Sequence, residues 1–224
     1  MKILAIECTH GFASAALSNG EHVVERRLAE WQKTAESLVP LVMQVMDEAG
    51  LTVSELDGVA VSSGPGSFTA LRIGLSVAKG IAFGAGLPLV PVPTLLAMAE
   101  AAMEHTGETH IVPVIPSRAG EYFYSIFTRE DRALLEIESV RCLVSELSGR
   151  IASLPGSLAI VSRSVEILAE EAPSLAPHLV DASFFSAATL LSHARKSLAE
   201  GSAGTAAGTL PDYRQSFVLA QRRD

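Results

Sequence analysis

The residues best placed to do chemistry fall in two short strings of the first third of the chain. Ser62 to Gly74 reads SSGPGSFTALRIG. Gly64 and Gly66 can reach backbone angles closed to other residues, Pro65 fixes the loop between them, and Ser67 can cap a helix that follows. The free N–H groups of a helix start receive anions, so the string fits a phosphate cradle. It equally fits an ordinary tight strand-to-helix turn. It has neither the Gly-Lys-[Ser/Thr] of a Walker loop nor a G-x-G-x-x-G fingerprint. The second string is Glu7-Cys8-Thr9-His10. Glu7, with Thr9 beside it, is a candidate nucleotide-cleft residue that could hold a magnesium-nucleotide. The other reading is an end-of-strand carboxylate held in hydrogen bonds.

Other chemistry is excluded more simply. No His-Glu-x-x-His helix and no G-x-S-x-G elbow is present, so peptide hydrolysis has no support. His105 and His110 bracket a polar HTGETH stretch and read as a solvated loop. Cys8 and Cys142 show no CxxC spacing and no disulfide framework, as in a reducing compartment. The opening apolar run is interrupted by Glu7 and is too short for a signal peptide. No stretch is read as a membrane span, and a cytoplasmic protein is expected. The net charge of the 224 residues is −8. Up to residue 100 there are six Lys and Arg against ten Asp and Glu, and beyond it eleven against fifteen. With no basic face in prospect, unaided nucleic-acid binding is disfavoured.

The elements that must position these strings follow from periodicity. Residues 2–6, 12–18 and 21–28 read as strands, the last two joined at Asn19-Gly20. Residues 34–49 carry a helical stripe of Leu38, Leu41, Val42, Val45 and Ala49, with Thr34 as N-cap and Gly50 as C-cap. Pro40 predicts a kink or a later helix start. A strand at 58–62, the loop at 63–67, a helix at 68–84, a strand at 88–92 and a helix at 94–104 complete an α/β first half with a mixed sheet. Residues 1–104 are expected to form an N-terminal lobe and 105–224 a smaller, divergent one. In the second half, 111–115, 121–127, 134–144 and 158–162 read as strands, and 164–171 and 186–199 as helices. Residues 201–209 read as a flexible linker, and the tail 211–224 is expected to return to the first lobe.

Two of these helices are too apolar for one-sided burial. On the helix after the SGPGS loop, Thr69, Arg72, Ser76 and Lys79 share one narrow arc, and the rest is apolar or small. On the helix at 34–49, Val39, Met43 and Met46 extend the apolar face beyond the core stripe. Either a second layer of the same chain covers both, or a helical partner does. Under the second reading Gly74 permits close helix approach. Gly74→Leu would then weaken association and leave the monomer folded.

The opening MKILAIE…ASAALSNG, the segment ESLVPLVMQVMDEAG…SGPGSFTALRIGLSVAKGIAFGAGLPLVPVPTLLAMA and the later GEYFYSIF resemble the TsaB (YeaZ) family over roughly residues 1–127. The resemblance implies an actin-like, sugar-kinase-like ATPase fold of two related lobes, and a paralogue of TsaD. It implies a non-catalytic subunit of the machinery that forms N6-threonylcarbamoyladenosine at position 37 of tRNAs reading A-starting codons. The implied partners are a TsaD-like catalytic subunit and a TsaE-like ATPase, with a homodimer in isolation and tRNA met only through the complex. No cofactor is implied for this chain alone; ATP or ADP and a metal belong to the partner or a shared interface. The TsaD metal helix carries a His-x-x-x-His pair, whereas Thr94 to Glu104 has no histidine. The partner surface carried over is Glu36, Val39, Pro40, Met43 and Met46 with Gly64, Pro65, Gly66, Ser67, Phe68, Thr69, Arg72, Ile73, Gly74, Ser76 and Lys79. The family's Asp-Ala-Arg-[Arg/Lys]-Gly-Glu string stands here as Pro116-Ser117-Arg118-Ala119-Gly120-Glu121. The rival expectation, a stand-alone ATPase or kinase of the same fold, rests on fold class and Glu7.

Overall fold

A computed structural model describes residues 1–28, 30–131 and 133–213. Five strands form the first sheet in the order β3-β2-β1-β4-β5. They are β1 (Ile3–Glu7), β2 (Ala13–Ser18), β3 (Val23–Leu28), β4 (Gly58–Gly64) and β5 (Leu89–Pro93). The β1-β2-β3 meander is antiparallel, while β4 and β5 run parallel to β1. The second sheet contains β6 (His110–Arg118), β7 (Glu121–Glu130), β8 (Ala133–Leu143), β9 (Leu158–Ser162) and β10 (Leu179–Asp181). Its order is β10-β9-β6-β7-β8, again an antiparallel meander with two parallel strands added beside the first. The two sheets therefore repeat one topology, the two related lobes of the expected fold.

Helices separate into layers around these sheets. α1 (Thr34–Ala49) and α2 (Phe68–Ala85) cover one face of the first sheet, burying Leu38, Val45, Leu75 and Ala78 against Leu4, Ile6 and Val61. α3 (Thr94–Ala102) and α6 (Leu190–Ala199) lie on its other face, in a core shared with Ile111, Phe123 and Phe127 of the second sheet. α4 (Val144–Ala152) and α5 (Val165–Glu171) cover the far face of the second sheet, under Tyr122, Tyr124 and Ile126.

Several local expectations change. Asn19-Gly20 lies in a four-residue connection, because Ser18 pairs with Val23 and Asn19 Oδ1 accepts from the N–H groups of Glu21 and His22. α1 starts at Thr34 and runs through Pro40, so the later start is not adopted; Thr34 is buried and its hydroxyl donates to Trp31 O. Gly50 does close α1, at φ 64°. His110 opens β6 and is buried, with Nε2 2.8 Å from Pro155 O, so it is no solvated loop residue. α4 and β10 were not read from the sequence. α6, in the second half of the chain, packs on β1, β4 and β5. The expected linker is anchored, with Leu89 N donating to Gly204 O at 3.0 Å and Thr209 buried. Residues 214–224 of the predicted tail lie outside the described residues.

α2 has the length and hydropathy of a membrane span, at 18 residues and mean hydropathy 1.2, with 33% of that stretch buried. Its inner face packs on the sheet at a distance set by Gly74, where an added Cβ would stand 2.5 Å from Cys8 Sγ. Gly74 is thus an internal contact, and Gly74→Leu would not spare the monomer. Gly74→Ala should destabilise the chain by about 1–3 kcal/mol through overpacking, with Gly74→Leu worse. In urea melts, adding Cys8→Ala to Gly74→Ala should recover part of the loss.

Candidate functional site

The two lobes meet around a cleft of about 440 Å³, lined on one side by His10, Gly66, Ser67 and Thr69 and on the other by Pro116, Ser117, Arg118 and Ser164. β1 delivers Glu7 to the end of a fully buried strand. The ion pair there is internal: Arg163 Nη2 stands 2.9 Å from Glu7 Oε2, with side-chain exposures of 5% and 0%. Arg163 also donates to the backbone carbonyls of His10 and Phe185. Its guanidinium carbon lies 3.8 Å from the Phe12 ring centroid and 4.9 Å from that of Phe185. Glu7 Oε1 accepts from the Thr9 N–H at 2.7 Å and from the Thr9 hydroxyl.

Both oxygens of Glu7 are therefore committed. A magnesium-nucleotide at Glu7 and Thr9 would have to displace a buried guanidinium from its partners. These residues do not fit that cofactor; the arrangement matches the hydrogen-bonded alternative. Among the described residues no group of three or more His, Cys, Asp or Glu side chains could hold a metal. Cys8, beside Glu7, donates to Ala70 O at 3.2 Å, and burial pushes its thiol well above the ordinary range. His10 is 7% exposed, and burial followed by the Arg163 charge holds its imidazole well below its usual pKa.

The SGPGS loop is clamped from two sides. Gly66 lies under Thr9, where a Cβ would come within 2.8 Å of its backbone oxygen, and Ser67 N donates to Thr9 O at 2.8 Å. Gly64, at φ 113°, faces the returning chain, with an added Cβ 2.2 Å from Asp212 O. Asp212 N donates to Ser63 O at 2.7 Å, and Gly64 N donates to Thr94 Oγ1 at 3.1 Å. Ser67 occupies the N-cap of α2, but its side chain makes no cap hydrogen bond.

The predicted partner residues divide accordingly. Glu36, Val39, Pro40 and Met43 on α1 are exposed, as are Phe68, Thr69, Arg72 and Ser76 on α2. Gly66, Ser67, Ile73 and Lys79 are partly exposed. Met46, Gly64, Pro65 and Gly74 are buried inside the chain and offer no surface. Met46 continues the inward row from Val42, and the glycines and proline hold the loop and helix against β1 and the tail. Arg72 lies 3.7 Å over the Phe68 ring, and its Nε donates to Tyr213 OH at 3.0 Å. Phe83 was missed. It is 83% exposed, and at 100° per residue it falls in the arc of Thr69, Arg72, Ser76 and Lys79. Arg163 was also missed, although a lone cation directly after the apolar run LAIVS is a signal at a strand's C-terminal end.

Repeated lobes, a cleft between them and a carboxylate sealed by an internal arginine define a two-lobed α/β protein. The sequence model for TsaD, tRNA N6-adenosine threonylcarbamoyltransferase, matches residues 30–199. The tRNA threonylcarbamoyladenosine biosynthesis protein TsaB of Escherichia coli K12 is 32% identical over 158 residues, 66% of this chain and 68% of that protein. TsaB of Haemophilus influenzae is 35% identical over 131 residues, 58% of this chain and 55% of that protein. The solved YeaZ from Pseudomonas aeruginosa superposes with a TM-score of 0.80 at 24% identity, covering 95% of this chain and 99% of that one. The chain belongs to the TsaB (YeaZ) family of tRNA threonylcarbamoyladenosine biosynthesis proteins.

Two outcomes test the site. Arg163→Ala should cost about 3–5 kcal/mol by leaving Glu7 buried and unpaired. The double variant Arg163→Met with Glu7→Gln should lose less, as read from chemical denaturation. His10 is held neutral when folded, while the unfolded chain takes up its proton below about pH 6.5. Its contribution is complete above that value and is lost as the pH falls. Relative to His10→Gln, the wild type should lose up to about 1.4 kcal/mol per pH unit below it.

Proposed function

We propose that this chain is a non-catalytic partner subunit in N6-threonylcarbamoyladenosine formation, docking a TsaD-like threonylcarbamoyltransferase through the outer faces of α1 and α2. The observation that carries this reading is the apolar surface those faces leave in water. Val39 is 49% exposed, Met43 60%, Phe68 40% and Phe83 83%. Large apolar side chains exposed along the outer faces of two adjoining helices mark an interaction surface. Arg72, Ser76 and Lys79 lie between Phe68 and Phe83 on the same arc of α2, and with Glu36 on α1 they can set register with a partner.

Chemistry then resides elsewhere in the assembly. ATP or ADP and a metal belong to the catalytic subunit or a shared interface, a TsaE-like ATPase joins, and tRNA is met through the complex. The chain's net charge of −8 agrees with that division. In isolation the same face would pair two copies of this chain, and the setting is the cytoplasm. The stand-alone ATPase reading rests on fold class and Glu7, and the oxygens of Glu7 are taken by Arg163 and Thr9.

Met43→Glu and Phe83→Glu place charge on the exposed face. Each should weaken capture of the cognate TsaD-like subunit at least tenfold in surface plasmon resonance, with little change in the melting temperature. Undiminished affinity in both variants would refute this face.

A further inference from the structure

We propose that Arg72 receives a carboxylate of the docked partner subunit, end-on at its two terminal nitrogens, and that Tyr213 is the positioning residue that holds it ready. This contact rests on the docking proposed for α1 and α2.

Tyr213 comes to Arg72 from 141 positions away along the chain. Asp212 N donates to Ser63 O at 2.7 Å, and Gly64 leaves room for the Asp212 carbonyl because it has no side chain. The residue that follows is thereby delivered to the first turns of α2. There the Tyr213 ring lies 4.9 Å from the Phe68 ring, at an angle of 40°. Arg72, one helical turn beyond Phe68, places its guanidinium carbon 3.7 Å from the Phe68 centroid and 5.7 Å from that of Tyr213. Its Nε donates to Tyr213 OH at 3.0 Å.

An arginine alone on a helix surface keeps its rotamer freedom, and a partner that binds it must take that freedom away. Arg72 is exposed, yet the Phe68 ring and the Tyr213 hydroxyl fix the plane of its guanidinium. One face of the group lies on Phe68, and the Nε edge is used by Tyr213. The end of the fork is left. Among the described residues none accepts from Nη1 or Nη2. A carboxylate matches that edge with two parallel hydrogen bonds. Approach through Nε is closed by the Tyr213 hydroxyl.

The surroundings favour an acidic protein element as the donor of that carboxylate. α2 carries Arg72 and Lys79 and no acidic residue. Phe68 and Phe83 are exposed on the same helix, so the cation sits in an apolar setting that a protein partner would dry. Removing water strengthens the pair, and Arg and Tyr enclosed by apolar contacts are the residues that dominate interfaces. The chain's net charge of −8 opposes a nucleic-acid phosphate in that place.

The test is capture of the cognate TsaD-like subunit by the full chain in surface plasmon resonance. Arg72→Ala should weaken capture about tenfold or more. Arg72→Lys should lose nearly as much, because an ammonium keeps the charge and lacks the fork. Tyr213→Phe keeps the ring and removes the hydroxyl. It should weaken capture about threefold or more in the wild-type background and change nothing in the Arg72→Ala background. A purely structural role for Tyr213 would give the same loss in both. Arg72→Glu should abolish capture, and among partner variants with one Asp or Glu at a time changed to Lys, at least one should restore it. Melting curves confirm that each variant is folded. If folded Arg72→Ala captures the partner as the wild type does while Met43→Glu and Phe83→Glu do not, the docking face stands and this contact is overturned. If all of these variants bind undiminished, the face and the contact fall together. The contact is also overturned if no partner variant restores capture, or if Arg72→Ala spares capture and instead weakens tRNA binding by the assembled complex.

Discussion

Arg163 carries a positive charge from the end of β9 into the first lobe, where it meets Glu7 almost out of reach of water. Two charges so placed are tolerable only together. Their attraction does little more than offset the loss of hydration. What the pair adds is geometry. The guanidinium plane is held between the rings of Phe12 and Phe185, and its N–H groups are aimed at the carbonyls of His10 and Phe185. These partners lie in two segments, residues 7–12 running on from the end of β1 and Phe185 ahead of α6, and Arg163 ties both to the end of β9.

The loop before α2 depends on that arrangement. Thr9 follows Glu7 and bonds to it, and Gly66 fits beneath Thr9 because it has no side chain. Ser67 bonds to Thr9 O, which sets the first turn of α2 against the end of β1. Gly74 then lets the helix axis approach Cys8 on the inner side. The outer side of α2 is thereby turned away from the sheet, next to the outer side of α1. The apolar surface follows from how the inner face is held.

Much of this was legible from local pattern. The inward stripe of α1, the alternating strand at β7 and the turn after β4 announce themselves through periodicity and turn chemistry, which depend only on neighbours in sequence. The two lobes came from the resemblance, and the repeated strand order agrees with it. What was missed depends on neighbours in space. α4 is short, with Leu147 and Ile151 as its inward residues, too few to stand out in a polar stretch. β10 has only three residues and exists because β9 lies beside it. Gly74 looked like a surface notch because a helical wheel cannot tell a glycine facing its own sheet from one awaiting a partner. Met46 failed for the same reason, at the edge between the two faces. Arg163 and Glu7 are 156 positions apart, and no window along the chain joins them.

The sealed carboxylate and the exposed helices are best understood together. In a two-lobed fold, a cleft that must admit and release a charged cofactor cannot keep its acidic residue locked to a buried arginine. Here both Glu7 oxygens are engaged, by Arg163 and by Thr9, and the pair ties the end of β9 to the end of β1. A rigid platform can present α1 and α2 without the conformational entropy that a mobile one would lose on association. In the proposed docking, Met43 and Phe83 would contribute most if the surface beneath them did not rearrange. A continuous run of contacts thus joins Arg163 through Glu7, Thr9 and Gly66 to the first turn of α2, the helix whose outer side carries Phe68 and Phe83.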